Sequence, residues 1–185
     1  MRHPHVGDLL VASADLLDPN FAGAVVLIVD LDEEGALGIV LNQRTPLLVA
    51  DALPQWADIA SEPGRLHRGG PVGVDGALAL GRVRESGAEP IGWQQIVGDL
   101  GLVDLDTPVE MMEGALASFR VFVGYAGWGS GQLEAEIAEG SWYVVPCEAG
   151  DAFVEAIEEL RRHVLRRQPG ELAWVSTRPA DPELN

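Results

Sequence analysis

An α+β domain with a largely antiparallel or mixed sheet is what this sequence predicts, on three observations. Apolar, β-branched runs come in pairs joined by short polar turns, the pattern of hairpins. Helical spacing appears irregularly between them and not in regular strand–helix alternation. No linker or internal repeat divides the 185 residues, so one domain spanning 1–185 is expected, with 1–5 and 179–185 as flexible ends.

The elements follow in order. Gly7–Ser13 reads as a short strand, and Asp18-Pro19-Asn20 as a turn. Ala24–Leu31 is a continuous, β-branched-rich run and hence a buried strand. The polar turn Asp32–Gly35 joins it to Ala36–Leu41 in a hairpin. Leu48, Ala52 and Trp56 have helical spacing, interrupted by Pro54. Gly64–Gly70 reads as a loop and Gly76–Val83 as a strand, with short strands at Ile91–Val97 and Leu100–Leu105. Pro108 predicts the first turn of a helix running to Leu116. Phe119–Tyr125 is a strand with Phe119, Val121 and Val123 on one face and Arg120 and Phe122 on the other. A glycine-rich turn then leads into a helix over Gln132–Glu139, followed by a strand over Trp142–Pro146. Phe153, Ile157, Leu160 and Val164 line one face of a helix predicted over Asp151–Arg167, with Asp151 as N-cap and Glu158 supporting Arg162. Leu172–Ser176 reads as a last strand, and Asp181–Asn185 as a frayed end.

Composition narrows the function classes. The formal charge is −17, and all 12 basic residues are Arg. Duplex binding depends on many cations neutralising phosphates, so direct nucleic-acid binding is disfavoured. The basic side chains that do cluster, Arg161, Arg162, Arg166 and Arg167, are explained by their place at a helix C-terminus. The longest apolar run, Ala22–Val29, is too short to span a bilayer, and with no apolar stretch behind Met1–His5 no secretory signal is expected. The lone Cys147 fits a reducing compartment, so the cytoplasm is the expected location.

No catalytic motif is spelled out. His3, His5, His67 and His163 lack ligand spacing, so no metal or cofactor is expected. Ser130 sits between Gly129 and Gly131, but a nucleophile elbow needs glycine two residues to either side, where Trp128 and Gln132 stand. Ser130 is expected to cap the helix or line the turn, and Cys147 to be a buried, inert thiol. The glycines at 124, 127, 129 and 131 do not make a dinucleotide fingerprint.

Three blocks nevertheless carry a resemblance. They are Gly35–Asn42; Gly69-Gly70-Pro71-Val72; and Gly124-Tyr125-Ala126-Gly127-Trp128 with Gly131–Glu134 and Gly140-Ser141-Trp142. With Gly7–Leu10 and Asp18–Phe21 they resemble the YqgE/AlgH family over nearly the whole chain. The resemblance implies a single α+β domain with a β-barrel-like sheet, sometimes labelled a transcriptional regulator, with no agreed catalytic residues. The regulator label fits poorly with a charge of −17 and no recognisable helix-turn-helix. Asn42, Arg68, Gly69, Gly70, Pro71, Tyr125, Gly127, Trp128, Gln132, Glu134 and Trp142 are therefore candidates for a shared surface. The leading expectation is a non-enzymatic binding or regulatory protein that contacts an unidentified protein partner. The alternative is a small-ligand binder or enzyme whose site lies where Asn42, Arg68 and the Gly124–Gln132 turn converge, with Arg68 holding an anionic group.

Overall fold

Residues 2–177 are described by the computed structural model, and strand β1 (Asp8–Ala12) shows at once why its run is apolar throughout. Leu9 and Val11 face one hydrophobic cluster, Leu10 and Ala12 another, and all four are fully buried. The sheet is therefore covered on both sides, and a strand buried on both faces loses the polar alternation of a half-exposed one. Strands β2 (Val25–Asp32) and β3 (Gly35–Val40) form the expected hairpin, with a bulge between Ile28 and Asp30. Next come β4 (Arg44–Leu48), the short helix α1 (Val49–Ala52) and a 3-10 turn over Pro54–Ile59, broken at Leu53 just before the proline. Strands β5 (Arg65–Arg68), β6 (Val72–Val83), β7 (Trp93–Val97), β8 (Leu100–Val103) and β9 (Leu116–Gly129) precede helix α2 (Gln132–Ala138) and strand β10 (Trp142–Pro146).

Eight of these strands pair in the order β10-β1-β2-β3-β9-β6-β8-β7, all antiparallel, while β5 runs parallel to β9 and carries β4 beside it. The sheet curls into a half barrel. At Gly7, just before β1, a Cβ would stand 2.7 Å from the Cβ of Val97, at the end of β7. Only glycine allows that approach at φ +88°. Phe119 and Val121 enter the cluster beneath Trp56, and Phe122 enters the opposite one, as their alternation requires.

Several segments depart from the sequence expectation. The predicted loop at 64–70 contains β5, whose His67 and Arg68 pair with Phe122 and Val123 of β9. No alternation marks that strand, because both its neighbours belong to other segments. The predicted glycine turn is mostly strand: β9 continues to Gly129, and the glycines serve close approach instead of reversal. At Gly124 a Cβ would stand 2.5 Å from the carbonyl oxygen of Gly70. The helix expected from Pro108 shrinks to a 3-10 turn over Val109–Met111, because Met112 is fully buried and Leu116 already pairs with Val83. The expected last strand is helix α4 (Glu171–Val175). There Leu172 and Val175, three residues apart, pack on the same cluster. The frayed end expected over Asp181–Asn185 lies outside the described residues.

The largest departure is at the predicted Asp151–Arg167 helix. Only α3 (Leu160–Arg166) is α-helical, preceded by 3-10 turns at Ala149–Phe153 and Ile157–Glu159. The N-cap is Glu148, in a reciprocal capping box with Asp151, whose carboxylate also holds Arg167 at 2.7 Å. Arg162 pairs with Glu159 and not with Glu158. The cause of the break is Arg120. Its guanidinium, only 2 % exposed, is donated to the carbonyls of Ala152 (3.2 Å), Phe153 (3.3 Å) and Val154 (2.9 Å), and across the chain to Glu62 (2.7 Å). A helix turns its carbonyls along its own axis; these three point at an arginine instead. No carboxylate pairs with Arg120 among the described residues. Burial, and then the nearby Arg44, lower its pKa to about 10, so it stays charged at neutral pH.

Replacing this cation strands several buried carbonyls at once. Arg120→Met is expected to lower unfolding stability by about 3 kcal/mol or more in urea denaturation. A loss below about 0.5 kcal/mol would show that the carbonyls find other partners.

Candidate functional site

The family-motif residues meet around the turn Asp18–Phe21. Asp18 accepts the Asn20 N–H at 2.8 Å in an Asx turn. The Asn20 side-chain oxygen accepts Arg68 Nη2 at 2.8 Å, and its carbonyl accepts Gln43 Nε2 at 2.9 Å. Arg68 is thus engaged by this chain's own amides. Asn42 is likewise structural: its Oδ1 accepts the Val25 N–H (2.9 Å) and its Nδ2 donates to the Gly23 carbonyl (3.0 Å).

One residue further on, Phe21 covers an indole pair. Its ring lies 6.2 Å from that of Trp128 and 5.8 Å from that of Trp142, and the two indoles meet edge-on at 5.9 Å. Both indole N–H groups donate to the same carboxylate oxygen of Glu136, at 2.9 Å from Trp128 and 2.8 Å from Trp142. Gln132 donates to the other oxygen at 2.9 Å and accepts the Gly129 N–H at 3.0 Å. Helix α2 is held down in this way, with Leu133 and Ile137 inward and Glu134 exposed to solvent outside the network. Gly131, at φ +72°, precedes the helix without a side-chain cap; Ser130 reaches instead to the Glu33 carbonyl at 2.7 Å, tying the turn to the β2–β3 hairpin.

The middle block is a wedge. Gly69 donates to Val123 at 2.7 Å and accepts from Val40 at 2.8 Å, joining β3 to β9 through β5's end. At Gly70 (φ +155°) a Cβ would collide with the Tyr125 backbone at 2.1 Å. Pro71 then leads into an exposed stretch of β6, where Tyr125 lies against Gly73 and Val74 is 60 % exposed. Gly127, further along β9, is exposed and pairs with Leu37.

Of the expected convergence of Asn42, Arg68 and the Gly124–Gln132 turn, Arg68 lies beside the Gly124 end, where it pairs with Val123, while the Gln132 end is displaced along the sheet from Asn42. Gly35 pairs with Gly129 at one end of β3, and Asn42 follows its other end, about 23 Å away along extended chain. What joins the blocks is the Asp18–Phe21 turn, with Asn20 on one side and Phe21 on the other. The sequence reading quoted that turn for its resemblance but did not place it in the site. Glu136 was missed as well. Its signal was available in its spacing, four residues after Gln132 and six before Trp142.

A hollow of about 520 Å³ opens beside this network, along β10. It is lined by Trp142, Tyr143 and Val144 of β10, by Ile137 and Gly140, by Leu172 of α4 and by Arg2; Ile137 packs in one hydrophobic cluster with Trp142 and Val144, and Leu172 in the other with Tyr143. Arg2 is itself paired to Asp8 at 2.6 Å. The reactive groups of the chain lie elsewhere. His67 is fully buried, donating Nδ1–H to the Arg65 carbonyl at 3.1 Å and leaving Nε2 as an unpartnered acceptor. Burial, followed by the Arg120 charge, lowers its pKa to about 4, so it is neutral. Burial and the Asp151 carboxylate push the Cys147 thiol up, away from the reactive thiolate. Among the described residues no group of His, Cys, Asp and Glu is arranged to hold a metal, and no helix is long and apolar enough to cross a membrane.

Comparison with known proteins places these features in context. The model of the AlgH-like family matches residues 9–173. A UPF0301 protein of Streptomyces avermitilis is 55% identical over 97% of this chain and 94% of its own. One from Mycobacterium tuberculosis is 41% identical over 97% and 90% respectively. Among solved structures, protein DIP2367 of Corynebacterium diphtheriae superimposes with a TM-score of 0.90 at 28% identity, covering 96% of this chain and 94% of that one. The solution structure of AlgH from Pseudomonas aeruginosa gives 0.69 at 26% identity, covering 97% and 98%.

Two measurements check the local chemistry. Glu136→Ala strands two indole N–H groups and is expected to cost about 2 kcal/mol in chemical denaturation; a change within about 0.5 kcal/mol would contradict the network. For His67, the folded pKa near 4 lies below the unfolded 6.5, so the unfolded chain takes up the proton first as pH falls. Stability is fully present above 6.5 and falls by about 3 kcal/mol down to pH 4 from this group. A His67→Gln variant should lack that part of the slope; equal slopes would refute it.

Proposed function

We propose that this chain, which belongs to the AlgH-like family, is a non-enzymatic binding protein that works through contact with another protein. One observation carries the reading: the 520 Å³ apolar hollow lies over the family's Gly140–Trp142 block and is walled by helix α2, which Glu136 anchors through both indoles. Binding sites are typically concave, mostly apolar and preformed. Among the described residues the hollow's only charged lining group is Arg2, and neither His67 nor Cys147 lines it. The reading takes the protein to act in the reducing cytoplasm, with Cys147 as a free thiol.

A role in direct nucleic-acid binding finds less support. Of the four clustered arginines, Arg161 is buried and donates to the Ala12 carbonyl at 3.1 Å, and Arg167 is paired with Asp151. That leaves Arg162, itself paired with Glu159, and Arg166 on a chain of charge −17.

The test is affinity capture from native lysate with the wild-type chain and with Leu172→Glu, which places a charge in the hollow's wall. A stoichiometric protein partner is expected on the wild type, reduced about tenfold or more on the variant. Retention of no partner by the wild type, or of the same partner equally by both, would refute the reading.

A further inference from the structure

We propose that the hollow beside β10 takes an extended segment of the partner protein as an added strand of the sheet. This rests on the protein-binding reading and specifies its mode. β10 is the last strand in the sheet order and, among the described residues, pairs only with β1. Ser13 donates to the Ser141 carbonyl at 2.9 Å, and the register continues with Val11 opposite Tyr143 and Leu9 opposite Val145. In an antiparallel pair, hydrogen-bonded positions alternate with positions whose N–H and C=O both point away. Residues 141, 143 and 145 therefore face β1, and 142, 144 and 146 face outward.

Of the outward positions, Pro146 has no N–H, and its carbonyl accepts Arg167 Nη2 at 3.3 Å. That end of the edge is closed, in the way natural sheets blunt their edges. Trp142 and Val144 are different. Their N–H and C=O groups have no backbone or side-chain partner among the described residues outside the β10 ladder, which does not use them. The open backbone lies along the hollow, with Ile137 of α2 in the cluster of Trp142 and Val144 on one sheet face and Leu172 of α4 in that of Tyr143 on the other.

A strand added there would satisfy these donors and acceptors and alternate its side chains between the two walls, the strand-addition mode of peptide recognition. One wall offers Ile137 with Trp142 and Val144, the other Leu172 with Tyr143, so β-branched or aromatic residues suit both faces. A second copy of this chain does not fit as occupant. The charge of −17 favours a segment with basic residues flanking its apolar stretch, and repels another acidic copy.

The probe is a displayed library of linear peptides about seven residues long, selected on the full chain, with the best sequence synthesised and its affinity measured by anisotropy. Selected sequences should be rich in β-branched or aromatic residues, and binding should weaken with salt. N-methylation at alternate peptide positions should weaken binding about tenfold or more, and at the intervening positions less than about threefold. Val144→Pro removes an outward N–H that β1 does not use, and should weaken the peptide about tenfold with the circular dichroism spectrum unchanged. If that variant fails to fold, the N-methyl scan decides alone. Binding that is lost in Leu172→Glu but indifferent to N-methylation overturns the strand mode and leaves the protein-binding reading standing. A selection that yields no peptide sensitive to Leu172→Glu overturns both. A dimer of the pure chain that Val144→Pro dissociates makes a second copy the occupant and overturns the proposal.

Discussion

A guanidinium with no carboxylate partner among the described residues holds this fold together. Arg120 points from β9 into the space under the sheet and collects carbonyls from Ala152, Phe153, Val154 and Glu62. Burying an unpaired cation is costly, and backbone carbonyls offset that cost only if several converge in fixed positions. The chain meets this condition by giving up helix at 154–156 and letting two distant segments share one side chain. The bend that results directs α3 back over the sheet, where Leu160, Val164 and Leu165 are buried, and then α4, whose Leu172 walls the hollow along β10. The position of the candidate binding surface thus follows from an interaction inside the core.

The same logic shows what could be read from the sequence. The β2–β3 hairpin, the β1 run and the facing of Phe119, Val121 and Phe122 were legible, because burial writes a local pattern into consecutive residues. That Arg120 shares a face with Phe122 in an apolar strand was legible, but its partners lie some thirty or more residues away in either direction. The helix expected over 151–167 failed for that reason: its apolar spacing is real, since Ile157, Leu160 and Val164 are all buried, yet a tertiary hydrogen bond overrides the spacing. Strands β4 and β5 went unread because RTPLL and RLHR carry no alternation and acquire strand character by pairing with each other and with β9.

Much the same holds for the site. The candidate residues could be named from their blocks, but not their partners. Arg68 meets Asn20, the Trp128 and Trp142 indoles meet Glu136, and Gly70 meets the Tyr125 backbone. In each case the motif residue fixes a neighbouring segment and leaves little free chemistry. The glycines allow close backbone approach, and the polar side chains satisfy turns. What they build is a stable support with an apolar hollow at the open edge of its sheet.

The central claim is that Arg120 positions the 149–175 segment, and native-state amide hydrogen exchange tests it most directly. Arg120→Lys keeps a charge but replaces a planar fork of donors with a single ammonium. Exchange should accelerate about tenfold or more across residues 149–165 and in α4, with β1, β2 and β3 protected as in the wild type. An unchanged pattern, or a uniform acceleration over the whole sheet, would contradict the claim.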